Sequence, residues 1–319
     1  MSTQQPPTKK IKKIKIFSSE SLVNAIPVEI WRDVICTKLG YFDRSNVNAT
    51  CNEFNDTFEN YNQIFLKKHA IHVPQDAPTI EKAMELVAKL QMDPTEKDPL
   101  RIVLDRGVHE IVGGNKKTMN VIRSFITFVG KGEDQTTIRG GFGVQNQQHV
   151  KFEELTITNP HQYGDALTLQ GSETNVDVLK CVVKKCGWAG MVVKDGATVT
   201  ATQCDFMWNG YYGVFCRDVW TKARLHDCQM HHNGLSGLVA SGDAVVDLHG
   251  TKTDIHSNKT WSGIRASGGK VNIHLPSQHN TSHDNVEEDR IQEDGGSIAN
   301  INADGTFTHV PAPMAVYDY

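Results

Sequence analysis

The chain has 319 residues, of which 39% are hydrophobic and 22% are charged, a composition typical of a globular protein long enough for two domains. Its formal net charge of -4 argues against general nucleic-acid binding, so no nucleic-acid partner is expected. The sequence contains no obvious membrane span, and the lysine-rich start leads into no signal peptide. We therefore expect an intracellular protein, cytoplasmic or nuclear, without membrane association.

Residues 1–20 combine five lysines with proline and polar residues, which predicts a disordered basic tail. The lysines are either a solvated arm or a nuclear-import signal. Residues 21–72 follow helical spacing, with Pro27 suited to the first turn of a helix. Three short helices are predicted here, forming a small all-α domain.

A repeat of 23 to 25 residues dominates the second half of the chain. Each copy contains three short alternating patterns and no helical pattern, which predicts three strands joined by short turns. Stacked coils of this kind form a parallel β-helix, an all-β solenoid in which each coil buries its interior against the next. The predicted inward columns are Cys181/Cys204/Cys228/Thr253 and Val183/Phe206/Met230/Ile255, and the turn column is Cys186/Asn209/Asn233/Asn258.

The helical segment resembles an F-box between residues 22 and 66. A Pro-x-Glu-Ile-Trp helix start at Pro27 is followed by Leu39, Asp43 and a Val-Asn-Ala-Thr-Cys-Asn-Glu-Phe stretch, in the family's order. The resemblance implies docking on a Skp-type adaptor of a cullin-RING ubiquitin ligase. The positions matching the adaptor-facing ones are Pro27, Ile30, Trp31, Val34 and Leu39. The alternative is a plain helical cap for the β-helix.

A second resemblance covers residues 71–275, which look like a pectin-lyase-like right-handed β-helix. It rests on the His72-Val73-Pro74 run leading to a cap helix with Ala83 and Val87 on one face, and on the strands that follow. We therefore predict a β-helix of roughly eight coils at 73–310 with an N-terminal cap helix, and a C-terminal tail at 311–319. Seven cysteines without metal-finger spacing are expected to be reduced core thiols.

Hydrolases, esterases and lyases of the pectin-lyase-like fold each carry characteristic motifs, and the sequence has none of them. Catalysis is therefore left uncertain and less favoured than binding, with no catalytic residue and no cofactor predicted. Asp205 and Asp254, two coils apart in one outward column, are a weak carboxylate pair that is better explained as part of a solvated face.

Histidines and aromatic residues provide the candidate surface sites. His226, His249 and His274 each follow an inward residue and should form an outward ladder, which either binds a transition metal or carries no ligand. The candidate recognition residues, whether for a protein substrate or for carbohydrate, are Trp188, Tyr211, Trp261, His231 and His256. The aromatic column is equally compatible with inward packing.

Three functions follow from these patterns. The main prediction is a substrate-recruiting F-box subunit of a ubiquitin ligase, whose β-helix recognises an unknown protein substrate. The first alternative is a carbohydrate-binding or carbohydrate-active pectin-lyase-like protein. The second is a structural β-helix without a ubiquitin role.

Overall fold

The structure is a computed structural model that describes residues 70–89, 94–277 and 281–309. The predicted basic tail, nearly all of the predicted helical domain and the C-terminal tail lie outside these residues. In the described residues the chain forms one α-helix, α1 (Ile80–Ala88), a 3-10 turn at Asn115–Lys117 and β-strands. No helix among these residues is long and apolar enough to cross a membrane.

The strands are short and follow one another around the coils. In chain order they are β1 Ile71–Val73, β2 Leu100–Leu104, β3 Gly107–Glu110, β4 Thr118–Val121, β5 Ile126–Val129, β6 Thr136–Arg139, β7 Gly141–Gln145, β8 Val150–Glu153, β9 Thr156–Thr158, β10 Leu167–Gln170, β11 Asn175–Leu179, β12 Val182–Lys184, β13 Met191–Lys194, β14 Thr198–Thr202, β15 Asp205–Met207, β16 Val214–Arg217, β17 Lys222–His226, β18 Gln229–His231, β19 Leu238–Ser241, β20 Val245–His249, β21 Asp254–His256, β22 Ser262–Ser267, β23 Lys270–His274, β24 Ser282–His283, β25 Glu288–Glu293, β26 Ser297–Ile301 and β27 Phe307–His309.

Every third strand pairs with the strand one coil away, which produces three parallel sheets. The first sheet has the order β1-β2-β5-β8-β11-β14-β17-β20-β23-β26-β27, the second runs from β4 through β7, β10, β13, β16, β19 and β22 to β25, and the third runs from β3 to β24 in the same manner. All neighbours are parallel except β26 and β27. The predicted parallel β-helix of about eight coils is confirmed.

The predicted inward columns are confirmed residue by residue. Phe206 pairs in register with Val183 and Met230, and all three side chains are fully buried. The five cysteines of the described residues, which follow the same inward rule or line a turn, are buried free thiols. Burial raises the pKa of Cys216 to about 12, so this thiol stays protonated and packs as a small apolar group.

The turn column is a continuous ladder of asparagine amides. Asn209 Nδ2 donates to Asn233 Oδ1 at 3.0 Å, and Asn233 Nδ2 donates to Asn258 Oδ1 at the same distance. Each Oδ1 also accepts the backbone N–H of the preceding coil at 3.1 Å. Asn258 continues the ladder to Asn285, one coil beyond the predicted column. The side chains thereby satisfy buried polar groups that the turns would otherwise leave unpaired.

The predicted cap helix is present and covers the first coil. Thr79 caps α1 by accepting a hydrogen bond from the backbone of Lys82 at 3.2 Å. The buried face of α1, which closes the open end of the solenoid, consists of Ile80, Ala83, Met84 and Val87. The β-helix starts at Ile71, two residues before the predicted boundary at 73, because β1 already pairs with β2.

Replacing Phe206 with alanine should lower the free energy of unfolding by about 3 to 5 kcal/mol, through lost burial and a residual cavity. Chemical denaturation monitored by circular dichroism measures this change. Phe307→Ala is the matched control, because Phe307 is 69% exposed and its loss should cost no more than about 0.5 kcal/mol. Equal effects of the two substitutions would contradict the packing described above.

Candidate functional site

A groove of about 700 Å³ crosses the outer face of the second sheet. Its floor is built by alternate residues of β4, β7, β10, β13 and β16, because only every second side chain of a strand points outward. Register places these residues in two columns across neighbouring coils. The columns are Asn120/Gly143/Thr168/Val192/Phe215 and Gln145/Gln170/Lys194/Arg217.

One buried amide joins two turns on the same rim of the groove, where the strands of the second sheet begin. Asn159 Nδ2 donates to the carbonyl of Lys116 at 3.1 Å, on the 3-10 turn, and to the carbonyl of Asp165 at 2.9 Å. Asn159 is completely buried. It therefore holds the backbones of Lys116 and Asp165 close together.

Asp165 is held firmly in the rim. Its Oδ1 accepts the backbone N–H of Ala189 at 3.1 Å, and its Oδ2 accepts the hydroxyl of Thr168 at 3.2 Å. Burial raises the pKa of the Asp165 carboxyl above its ordinary value of 3.8, although these hydrogen bonds and the charges of Lys116 and Lys194 act in the opposite direction. Among the described groove residues, Asp165 is the only carboxylate.

Positive charge exceeds negative charge in the groove. Lys116, Lys194 and Arg217 all line it, against the single carboxylate of Asp165. Lys194 and Arg217 each have an acidic neighbour in sequence, but the charged atoms are 3.8 Å and 3.7 Å apart, too far for hydrogen bonds. Both cations can therefore make closer contacts with a ligand.

The predicted recognition residues Trp188, Tyr211 and Trp261 belong to one aromatic ridge, which also contains Tyr212 and Phe215. Tyr212 connects them, with ring centroids 5.7 Å from Trp188 and 6.1 Å from Trp261. Trp188 and Phe215 also line the groove. None of the three predicted residues is fully buried, and Tyr211 is 40% exposed, so the ridge faces outward.

The other two predicted recognition residues, His231 and His256, lie on the third sheet in a separate histidine stack with His283. The rings of His231 and His256 are 4.9 Å apart and nearly parallel, and those of His256 and His283 are 5.4 Å apart. A carboxylate lies 3.1 Å from each outer ring: Asp205 beside His231 and Asp254 beside His283. These two aspartates, considered above as a carboxylate pair, thus contact histidines.

The structure brings together two of the three predicted metal ligands. His249 and His274 stack with ring centroids 4.0 Å apart on the first sheet. His226 lies one coil away, opposite His249 in register, and its Nδ1 is 3.3 Å from Asp227. Sequence reasoning missed Asp247, whose Oδ1 is 3.0 Å from His274 Nε2. The signal was available, because Asp247 lies two residues before His249 and shares its face.

The predicted adaptor-binding residues Pro27, Ile30, Trp31, Val34 and Leu39 lie outside the described residues. Sequence reasoning also missed the groove itself. The missed residues that define it are Lys116, Asn159, Asp165, Lys194 and Arg217. Extending the repeat alignment to the outward positions of the second sheet would have revealed its two columns.

Comparisons with known proteins support the same fold. A family described as "Right handed beta helix region" matches residues 165–308, so the predicted handedness is supported. Among curated protein sequences, none matches this chain.

Several solved structures are similar in fold. ORF18 of Geobacillus virus E2 shares 11% identity over 75% of this chain and 62% of its own length, with a TM-score of 0.43. The Agl-KA catalytic domain shares 15% identity over 70% of this chain and 46% of its own, with a TM-score of 0.49. Pectin methylesterase PemA from Erwinia chrysanthemi shares 11% identity over 75% and 84%, with a TM-score of 0.44. This chain spans less than two thirds of the first two structures, and inferences about chemistry rest on its own residues.

The histidine stack makes stability depend on pH. Burial and the charges of the neighbouring histidines lower the pKa of His256 below its ordinary value of 6.5. The unfolded chain therefore takes up this proton at a higher pH than the folded protein. The contribution of neutral His256 to the free energy of unfolding is complete above about pH 6.5, and it is lost as the pH falls through the folded-state pKa.

We therefore expect His256→Gln to lose less stability than the unsubstituted protein between pH 7 and pH 5. Urea unfolding at several pH values measures the difference. His283 acts in the opposite direction, because its partners Asp284 and Asp254 raise its pKa. The pH profile of His256→Gln must therefore be compared with that of the unsubstituted protein, since a single profile contains both effects. His226→Gln, outside the stack, is the control. Parallel pH profiles for His256→Gln and the unsubstituted protein would refute the expectation.

Proposed function

We propose that the groove on the second sheet binds an acidic oligosaccharide or polysaccharide. The observation that carries this proposal is the combination of an aromatic rim with a polar, positively charged floor. Trp188 and Tyr163 offer flat apolar faces to the C–H groups of sugar rings. The amides and hydroxyl of the floor, on Asn120, Gln145, Thr168 and Gln170, offer hydrogen bonds to sugar hydroxyls.

The shape of the floor supports an extended ligand. Gly143 has no side chain, and a β-carbon there would lie 2.5 Å from Asn120 Oδ1, so the glycine keeps the middle of the groove low. The two columns repeat once per coil, about every 4.8 Å. A polymer lying along the solenoid axis would therefore meet one residue of each column at regular intervals, with the amides of Gln145 and Gln170 at one end of the second column and the cations of Lys194 and Arg217 at the other.

The charge of the groove favours an acidic ligand. Lys116, Lys194 and Arg217 would contact carboxylate groups, and guanidinium groups bind carboxylates in bidentate geometry. The hydrogen bonds of Asp165 go to Ala189 and Thr168, so no hydrogen bond of this carboxylate occupies the cations of the groove.

The groove residues fit binding better than glycoside cleavage by a carboxylate pair. Hydrolases of that mechanism need two carboxyl groups about 5 to 10 Å apart. Within the described part of the groove only Asp165 is acidic. The proposal is therefore the carbohydrate-binding form of the first alternative above.

Calorimetric titration with hexagalacturonate, and with maltohexaose as a neutral hexasaccharide, tests the proposal. We expect the acidic hexasaccharide to bind, and Trp188→Ala to weaken its binding at least tenfold. Lys194→Gln should weaken it by a similar factor and should reduce its dependence on salt concentration. Trp220→Ala is the matched control, because Trp220 is 76% exposed and lies outside the groove.

Different results of these titrations would contradict the preference for acidic ligands, the location of the ligand or carbohydrate binding itself. Equal binding of both hexasaccharides would refute the preference for acidic ligands. Binding that survives Trp188→Ala and Lys194→Gln, in proteins with unchanged circular dichroism, would place the ligand elsewhere. Failure of the unsubstituted protein to bind either hexasaccharide would refute carbohydrate binding by this groove.

The F-box hypothesis remains a second candidate, carried by the sequence motif between residues 22 and 66. Truncating a central aromatic anchor typically costs about 2 kcal/mol or more of binding free energy. We therefore expect Trp31→Ala to abolish capture of a purified Skp-type adaptor in a pull-down with the full chain. Absence of capture by the unsubstituted chain would refute an adaptor role and leave the groove proposal unaffected.

A further inference from the structure

A second candidate site lies on the outer face of the first sheet, away from the groove. Asp247 and His249 are two residues apart on β20 and therefore share one face. His274, at the end of the neighbouring strand β23, stacks on His249. One nitrogen of each imidazole and one carboxylate oxygen of Asp247 lie within 4.8 Å of one another.

We propose that Asp247, His249 and His274 bind a divalent transition metal ion, with zinc as the representative ion. Two imidazoles and a carboxylate form a ligand set that suits zinc and its neighbours, rather than calcium or magnesium. Three protein ligands leave a fourth position of a tetrahedral ion open to water or to an external ligand.

The distances agree with a shared ion. Ligand atoms about 2.1 Å from one metal are roughly 3 to 3.5 Å apart at octahedral or tetrahedral angles. Asp247 Oδ1 and His274 Nε2 are 3.0 Å apart. A nitrogen of His249 lies within 4.8 Å of a ligand atom of each of the other two residues.

Two further observations point to a ligand. His249 Nε2 is buried and has no hydrogen-bond partner among the described residues, which is unusual for a buried polar atom. Asn272 Nδ2 donates to Asp247 Oδ1 at 3.0 Å, which orients the carboxylate as outer hydrogen bonds do in metal sites. A metal ion would supply the missing partner of His249.

His226 is excluded from the site. Its Nδ1 is 3.3 Å from Asp227 Oδ2, and its side chain is about half exposed. Arg224, opposite Asp247 in register, is a positive charge close to the proposed ion. Its removal should strengthen metal binding, which distinguishes a bound cation from a bound anion.

Calorimetric titration of the full chain with zinc chloride, and with magnesium chloride for comparison, tests the proposal. We expect one zinc ion per chain and no magnesium binding. His249→Gln and His274→Gln should each weaken zinc binding at least tenfold, and Asp247→Asn should weaken it to a lesser degree. His226→Gln and His256→Gln are matched histidine controls, and both should bind zinc as the unsubstituted protein does.

Thermal unfolding with and without zinc provides a second measurement. Zinc should raise the melting temperature of the unsubstituted protein and of His226→Gln, but not that of His249→Gln. Three results would overturn the proposal: no zinc binding at millimolar concentration, unchanged binding by folded His249→Gln, or loss of binding on replacing His256 in the histidine stack.

Discussion

The register between successive coils is the constraint on which this structure depends. A single coil of about 24 residues cannot bury its own apolar side chains, so each coil is stable only when its inward residues lie directly above those of its neighbour. The asparagine ladder from Asn209 to Asn285 fixes that alignment, because the Oδ1 atoms of Asn233, Asn258 and Asn285 each accept both a side-chain and a backbone donor of the preceding coil. A shift of one residue would reverse every side chain of a strand.

The same register creates the candidate sites on the outer surface. When inward residues are aligned, outward residues of successive coils are aligned as well and form columns. This alignment produces the groove column that ends in Lys194 and Arg217, and the stack of His231, His256 and His283. The solenoid thus places groups that are about 24 residues apart in sequence within contact distance.

The sequence predicted the parts of the structure that repeat and missed those that do not. The inward columns and the outward histidines follow from a period of 23 to 25 residues together with strand alternation, and both are read from spacing alone. Asp247 was missed because its neighbours in the column, Arg224 and Asn272, are different residue types, although its spacing of two residues from His249 was visible. The floor of the groove was within reach of the repeat alignment, but its rim was not, because there Asn159 holds Lys116 and Asp165 by backbone hydrogen bonds that no periodicity encodes. The F-box hypothesis rests on a motif outside the described residues, and no contact of the described β-helix bears on it.

The central functional claim is that the groove beside Trp188 holds an acidic sugar chain. A crystal structure of the full chain with hexagalacturonate tests it most directly. The account predicts ordered sugar rings packed on Trp188, with carboxylates of the ligand in contact with Lys194 or Arg217. Ordered sugars on another face of the solenoid, with the groove empty, would contradict it.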